Sequence, residues 1–215
     1  MPPTPSSARR CETFALPPLR CELALVRDVL TALVHTIAWT RALGCASARD
    51  ERCERIDVRY VTCGESAVET KIRERCDAVI QWALRNRGGE ADVSVSFYES
   101  ERSDGASGTS RSGRTAVCWE RWRIGLEIFL GEELDEDERA RARDALRDQV
   151  VGTQRHILSL VNEMKAHVPP VTTSDVVSFP FEITTPIARE DSPGSFGRDM
   201  LRRIASLSST PPSMI

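Results

Sequence analysis

The stretch Val117-Cys-Trp-Glu-Arg-Trp-Arg-Ile-Gly-Leu-Glu-Ile-Phe-Leu-Gly131 decides the fold. Trp122, Ile124, Leu126, Ile128 and Leu130 fall at every second position. In an extended chain they line one face. The other face is read as Glu120, Arg121, Arg123, Gly125 and Glu127, with Trp119 and Phe129 at its ends. A strand with one apolar face belongs to a largely antiparallel sheet covered on one side. Something must cover that face, and the helical segments are the candidates.

Working outward, Val93, Val95 and Phe97 alternate with serines in a second strand. The Gly/Ser-rich connector Ser103 to Thr115 joins the two as a long-looped hairpin. Upstream, Val26, Val29, Leu30, Leu33, Val34, Ile37 and Ala38 occupy more than half of a helical wheel. This predicts a helix over 22–43, buried on several sides and stopped at Gly44. Leu19 to Leu25 reads as a short strand or as the lead-in to that helix. Cys45 to Glu54 reads as a polar loop, and Ile56, Val58 and Tyr60 as a strand. Val68, Ile72, Cys76, Val79 and Ala83 form the stripe of a helix over 65–86. Ser66 and Glu69 fit a capping box, and Gly88-Gly89 a C-terminal stop.

Downstream, a long helix over 135–167 carries Ala142, Leu146, Val150, Ile157, Val161, Met164 and Val168, broadened by Leu158 and Leu160. Gly152 weakens its middle by about 1 kcal/mol relative to alanine, and Pro169-Pro170 ends it. Val177, Phe179, Phe181 and Ile183 predict a late strand, with Pro180 on the opposite parity as suits a sheet edge. A short helix over 196–207 follows. Strands and helices do not alternate regularly, so the class is α+β with helices on one face of a mostly antiparallel sheet. The expected organisation is a tail over 1–18, one domain over 19–207 and a second tail over 208–215.

The 215 residues are 40% hydrophobic and 28% charged, with a net charge of -3. That balance gives no whole-protein attraction to nucleic acid or anionic membrane. Nearly all the positive charge is arginine; the lysines are Lys71 and Lys165. Seven cysteines form no C-x-x-C pair and fit no zinc template, so reduced thiols are expected rather than a disulfide framework. No signal region and no apolar run of membrane-spanning length is expected.

Few residues suggest chemistry. Gly108-Thr-Ser-Arg-Ser-Gly113-Arg114-Thr115 resembles a phosphate loop with arginine for lysine. Such loops use a helix N-terminus, and here a strand follows, so a flexible connector is the preferred reading. His35 reads as a core or boundary residue. His156 and His167 are assigned to one face of the long helix, too far apart to share a metal. The acidic run Glu132 to Glu138 reads as a helix N-terminus favoured by its dipole. Asp57, Glu65 and Asp92 show no pairing. Trp119 and Trp122 are expected on opposite faces, one in the core and the other available to a partner. No catalytic residue, cofactor or metal is expected, and a binding module is the default class.

Several segments, in order, resemble the autophagy-related protein 101 family, whose members are single HORMA domains. They are Leu33-Val34-His35-Thr36, Ile56-Asp57-Val58-Arg59-Tyr60-Val61, Ala83-Leu84-Arg85-Asn86-Arg87-Gly88-Gly89, Ser96-Phe97-Tyr98, Trp119-Glu120-x-Trp122 and Val161-Asn162-Glu163-Met164. The resemblance implies a HORMA-like α+β fold, a mostly antiparallel sheet with three main helices packed on one face. It implies a non-catalytic scaffold subunit of the autophagy-initiating kinase complex. Such a subunit pairs with the HORMA domain of autophagy-related protein 13 and stabilises it, in the cytoplasm and at the phagophore assembly site.

By the same analogy the long helix forms much of the heterodimer interface, which assigns Arg147, Gln154, Arg155 and Asn162 to partner binding. Family members often carry a Trp-Phe finger between the hairpin strands. The equivalent connector here, with Ser103, Gly108, Gly113 and Thr115, has no aromatic residue. The region Cys45 to Glu54 and the link from Pro170 to Val176 look shortened, and a short link predicts no topological switching. The alternatives are a HORMA adaptor that clasps a closure-motif peptide, as in checkpoint or repair proteins, and a nucleotide-binding protein.

Overall fold

The computed structural model describes residues 11–102, 114–171 and 177–186. In chain order these form β1 (Glu12–Ala15), β2 (Leu19–Glu22), a 3-10 turn (Leu23–Leu25), α1 (Val26–Thr40), β3 (Arg49–Cys53), β4 (Val58–Thr62), α2 (Ser66–Arg85), β5 (Gly89–Arg102), β6 (Arg114–Phe129), α3 (Glu136–Glu163) and β7 (Phe181–Thr184). The expected helix over 196–207, the tail over 208–215 and the connector residues Ser103, Gly108 and Gly113 lie outside the described residues. Thr115 belongs to β6, opposite Glu101.

The opening stretch forms the middle of the sheet. β6 pairs antiparallel with β5, and β5 pairs antiparallel with β7. On its other side β6 takes β1 and then β2, both parallel to it. These two parallel pairings qualify the antiparallel expectation. Leu16 still donates its N–H to the Arg123 carbonyl at 2.9 Å, and the ladder is then interrupted at Pro17-Pro18. Proline has no N–H to give, which is why one edge is built from two four-residue pieces. The assignment of 1–18 to a tail is corrected accordingly: residues 12–15 are a strand, and Phe14 is buried against Trp122 with ring centroids 4.4 Å apart. A Pro-rich setting hid it.

Ala91, Val93 and Val95 of β5 lie opposite Leu126, Ile124 and Trp122 of β6, and all six are buried. Over this face, Leu30 and Val34 of α1 and Ile72 of α2 close on Val93 and on Ile183 of β7. α1 has further neighbours in α3 and β4, so ten of its fifteen residues are buried. That environment explains an apolar surface wrapping most of the wheel. It also corrects the expectation of no apolar run of membrane-spanning length. Leu23–Thr40 is long and apolar enough to cross a bilayer, and the fold uses that apolarity as its core.

α2 buries Val68, Ile72, Cys76, Val79 and Ala83, the stripe read from its sequence. Its start differs. Glu65 is the N-cap with no side-chain bond, and Ser66 is already helical. The capping box is found instead at α3. There the Asp135 carboxylate accepts from the Glu138 N–H at 2.7 Å, and Glu138 accepts from the Asp135 N–H at 3.2 Å. α2 ends with Arg87 left-handed at φ 55 and the Gly88 N–H donating to the Ala83 carbonyl at 2.8 Å. Gly88 sits at φ 91, where an added Cβ would come within 2.5 Å of the Ile128 carbonyl oxygen. Glycine is needed there for close passage from helix to sheet.

β3 occupies what the sequence presents as the loop Cys45 to Glu54. Its first four residues, Arg49 to Arg52, are all exposed, so no apolar alternation announces it. It exists through its ladder to β4, running from Arg49 opposite Thr62 to Cys53 opposite Val58. Asp57, at φ 51, makes the turn between them. Lys71 of α2 secures β7, donating to the Phe181 carbonyl and lying 3.1 Å from Glu182 and 4.5 Å from the Phe181 ring centroid.

Candidate functional site

Two polar assemblies stand out, one buried and one exposed. The buried one centres on Glu120, which is 0% exposed. Arg41, just past the end of α1, donates through Nε to Oε1 at 2.9 Å and through Nη2 to Oε2 at 2.6 Å. The Trp122 indole N–H donates to Oε1 at 2.6 Å. His167 Nε2 donates to Oε2 at 2.6 Å. A buried carboxylate is tolerable only when its lone pairs are filled in this way. The node ties α1, β6 and the segment after α3 into one block.

Here three sequence expectations are corrected. Glu120 shares the parity of Trp122 and so faces the core, not solvent. Trp119 and Trp122 are both buried, at 2% and 0% exposure, so neither is available to a partner. The cause is a β-bulge: Phe97 is opposite Glu120 and Tyr98 is opposite Cys118, which leaves Trp119 as the extra residue. It packs edge-on against Phe179 at 4.8 Å and beside Phe97 at 5.9 Å. Third, His167 is not on the long helix, which ends at Glu163. Its ring sits 5.8 Å from Phe14 and 5.6 Å from Trp119.

The exposed assembly lies along α3. Leu146, Val150, Thr153 and Ile157 are its buried residues, one row at helical spacing. The expected stripe is therefore narrower than read: Ala142 and Met164 are exposed, and Leu158 is 45% exposed. A second row, Arg147, Val151, Arg155, Leu158 and Asn162, follows spacings of three and four; Arg155, Leu158 and Asn162 are exposed, while Val151 is half-buried against the core. It places two aliphatic side chains among three polar ones. Arg147 is half-buried and pairs with Asp144 at 3.5 Å and Asp148 at 3.1 Å on its own helix. Arg155 and Asn162 are exposed.

Gln154 departs from this row. Its Nε2 donates to Thr36 Oγ1 at 3.1 Å and to the Arg59 carbonyl at 3.0 Å, fastening α3 to α1 and β4. Of the four long-helix residues assigned to partner binding, Arg147, Arg155 and Asn162 thus share a face and Gln154 serves the fold. Leu158 was missed as a member of that face because the sequence pattern assigned it to the core.

His35 is buried against Tyr60, ring centroids 5.3 Å apart, and burial pushes its pKa down to about 4. It is a neutral core residue, as the helix pattern implied. His156 is exposed. Among the described residues no group of three or more His, Cys, Asp or Glu side chains is placed to hold a metal ion.

Two comparisons with known proteins bear on this arrangement. The family model described as "Autophagy-related protein 101" matches residues 18–175. A curated relative named "Autophagy-related protein 101" from Arabidopsis thaliana is 34% identical over 221 aligned residues. The match covers 95% of this chain and 99% of that protein.

Proposed function

The chain belongs to the autophagy-related protein 101 family, and on that premise we propose that it is a non-catalytic HORMA-type scaffold. Its partner in this reading is the HORMA domain of autophagy-related protein 13, which it binds and stabilises within the autophagy-initiating kinase complex. It acts in the cytoplasm and is recruited to the phagophore assembly site. One observation carries the reading: Leu158 is 45% exposed on α3, flanked by the exposed Arg155 and Asn162, on a helix already anchored by its opposite face. An apolar centre with a polar, arginine-bearing rim suits a protein–protein contact.

The buried node supports a fixed rather than a switching scaffold. His167, in the segment after α3, is tied to Glu120 at the sheet. The connector 103–113 contains no aromatic residue, so recruitment through an aromatic finger is not part of this proposal.

Co-expression with the partner HORMA domain, followed by co-purification and titration, tests the reading. Leu158→Glu and Arg155→Glu are expected to weaken pairing by about tenfold or more each. Wild-type protein that fails to pair at micromolar concentration, or pairing indifferent to both substitutions, would sink it.

A further inference from the structure

The seven cysteines are all free thiols, and Cys21, Cys53, Cys63 and Cys76 are buried. Cys11 and Cys118 differ from the rest. Their sulfurs lie 2.8 Å apart across 107 residues of sequence, and both side chains are only partly buried. Register brings them together. Glu12 is opposite Glu120 in the parallel β1–β6 ladder. The bulge absorbs Trp119, and Cys118 then stands beside the residue that leads into β1. Nothing in the helix–sheet core requires a thiol at either position.

We propose that Cys11 and Cys118 form a thiol–disulfide site whose oxidant is a small disulfide of the glutathione class. One cysteine thiolate attacks a glutathione sulfur, making a mixed disulfide and releasing one glutathione thiolate. The second cysteine then attacks the protein-bound sulfur of that mixed disulfide and displaces the other glutathione. The two thiol protons end on the two released glutathiones, so one protein dithiol and one oxidised glutathione give one protein disulfide and two reduced glutathiones. The product staples β1, the outermost strand, to β6 at the centre of the sheet.

The chemistry sets the pace. Burial, and then the neighbouring Cys118, push the Cys11 pKa up to about 12. Little Cys11 thiolate exists at neutral pH, so attack by Cys11 is slow. In a reducing cytosol the site stays open.

The test uses the full chain equilibrated in glutathione buffers from reduced to oxidised, then alkylated and analysed by peptide mass spectrometry. The expected result is a linked Cys11–Cys118 peptide pair lighter by two hydrogens. The melting temperature should rise by on the order of 5–10 °C on oxidation. Cys118→Ser should remove the rise, and Cys45→Ser, at an exposed thiol outside the site, should leave it intact. Full alkylation of both Cys11 and Cys118 at the oxidised end overturns the proposal. So does glutathione retained on Cys11 with no internal bridge.

Discussion

Ten of the fifteen residues of α1 are buried, against four of the twenty-eight of α3. Both helices pack against each other and contribute to one core. α1 is enclosed by α2, α3 and β4, so even its polar members must be absorbed: His35 stacks on Tyr60, Thr36 accepts from Gln154, and Arg41 beyond its end is neutralised by Glu120. α3 buries one row, adds the half-buried Val151, Leu160 and Val161 and the Gln154 bonds, and leaves Arg155, Leu158 and Asn162 exposed. A substitution near α1 should therefore be read in stability, and one on the outer row of α3 in association.

The largest break in that contrast comes from the node at the end of α1. Glu120→Ala leaves Arg41 buried without a counter-charge, and the expected loss is about 3–5 kcal/mol in urea denaturation. A loss below about 1 kcal/mol would mean that the node is not what locks α1 to β6. Next comes pH. The His35 pKa is about 4 in the folded protein against 6.5 in its unperturbed state. The unfolded chain thus binds the proton first, and stability is whole above about pH 6.5. It should decline as pH falls from about 6.5 to 4, by roughly 3 kcal/mol in all. His35→Leu should flatten that slope relative to wild type; an unchanged slope would place its origin elsewhere. The smallest effect belongs to α3. Gly152 is exposed, and an added methyl group meets nothing within 4 Å. Gly152→Ala should stabilise by about 0.5–1 kcal/mol, seen as a small rise in melting temperature. A fall would show that the middle of α3 needs the freedom that glycine gives.

What could be read beforehand follows the same division. The α2 stripe, the wrapped apolar surface of α1 and the β5–β6 hairpin were legible because burial imposes a period on the residues involved. β3 was not, since four of its five residues face solvent and only hydrogen bonds make it a strand. The exchange between the two faces near Trp119 was hidden because a bulge breaks the alternation that parity arguments need. Glu120 could have been placed: counting back two from Trp122 puts it in the core, where a carboxylate demands a cation. That the cation is Arg41, 79 positions away, depends on how the end of α1 meets β6, and no local pattern carries that. On α3 the outer row was partly legible, with Arg147, Arg155 and Asn162 assigned to it. Gln154 bonds inward to Thr36 and Arg59, since an amide suits solvent and an internal bond equally well.

The rims of the sheet bear on how such a protein meets others. One rim is made of β1 and β2 and the other of β7, each four residues long. Prolines 17 and 18 interrupt the first rim, and Pro180 precedes the second. Unpaired strand edges invite templated growth by neighbouring chains, and short, proline-broken edges deny it a footing. The middle of the long hairpin β5–β6 is thereby covered, Ser94–Phe97 by β7 on one side and Glu120–Arg123 and Leu126–Phe129 by β1 and β2 on the other. Short, proline-broken rims thus disfavour backbone pairing, which would accept almost any strand.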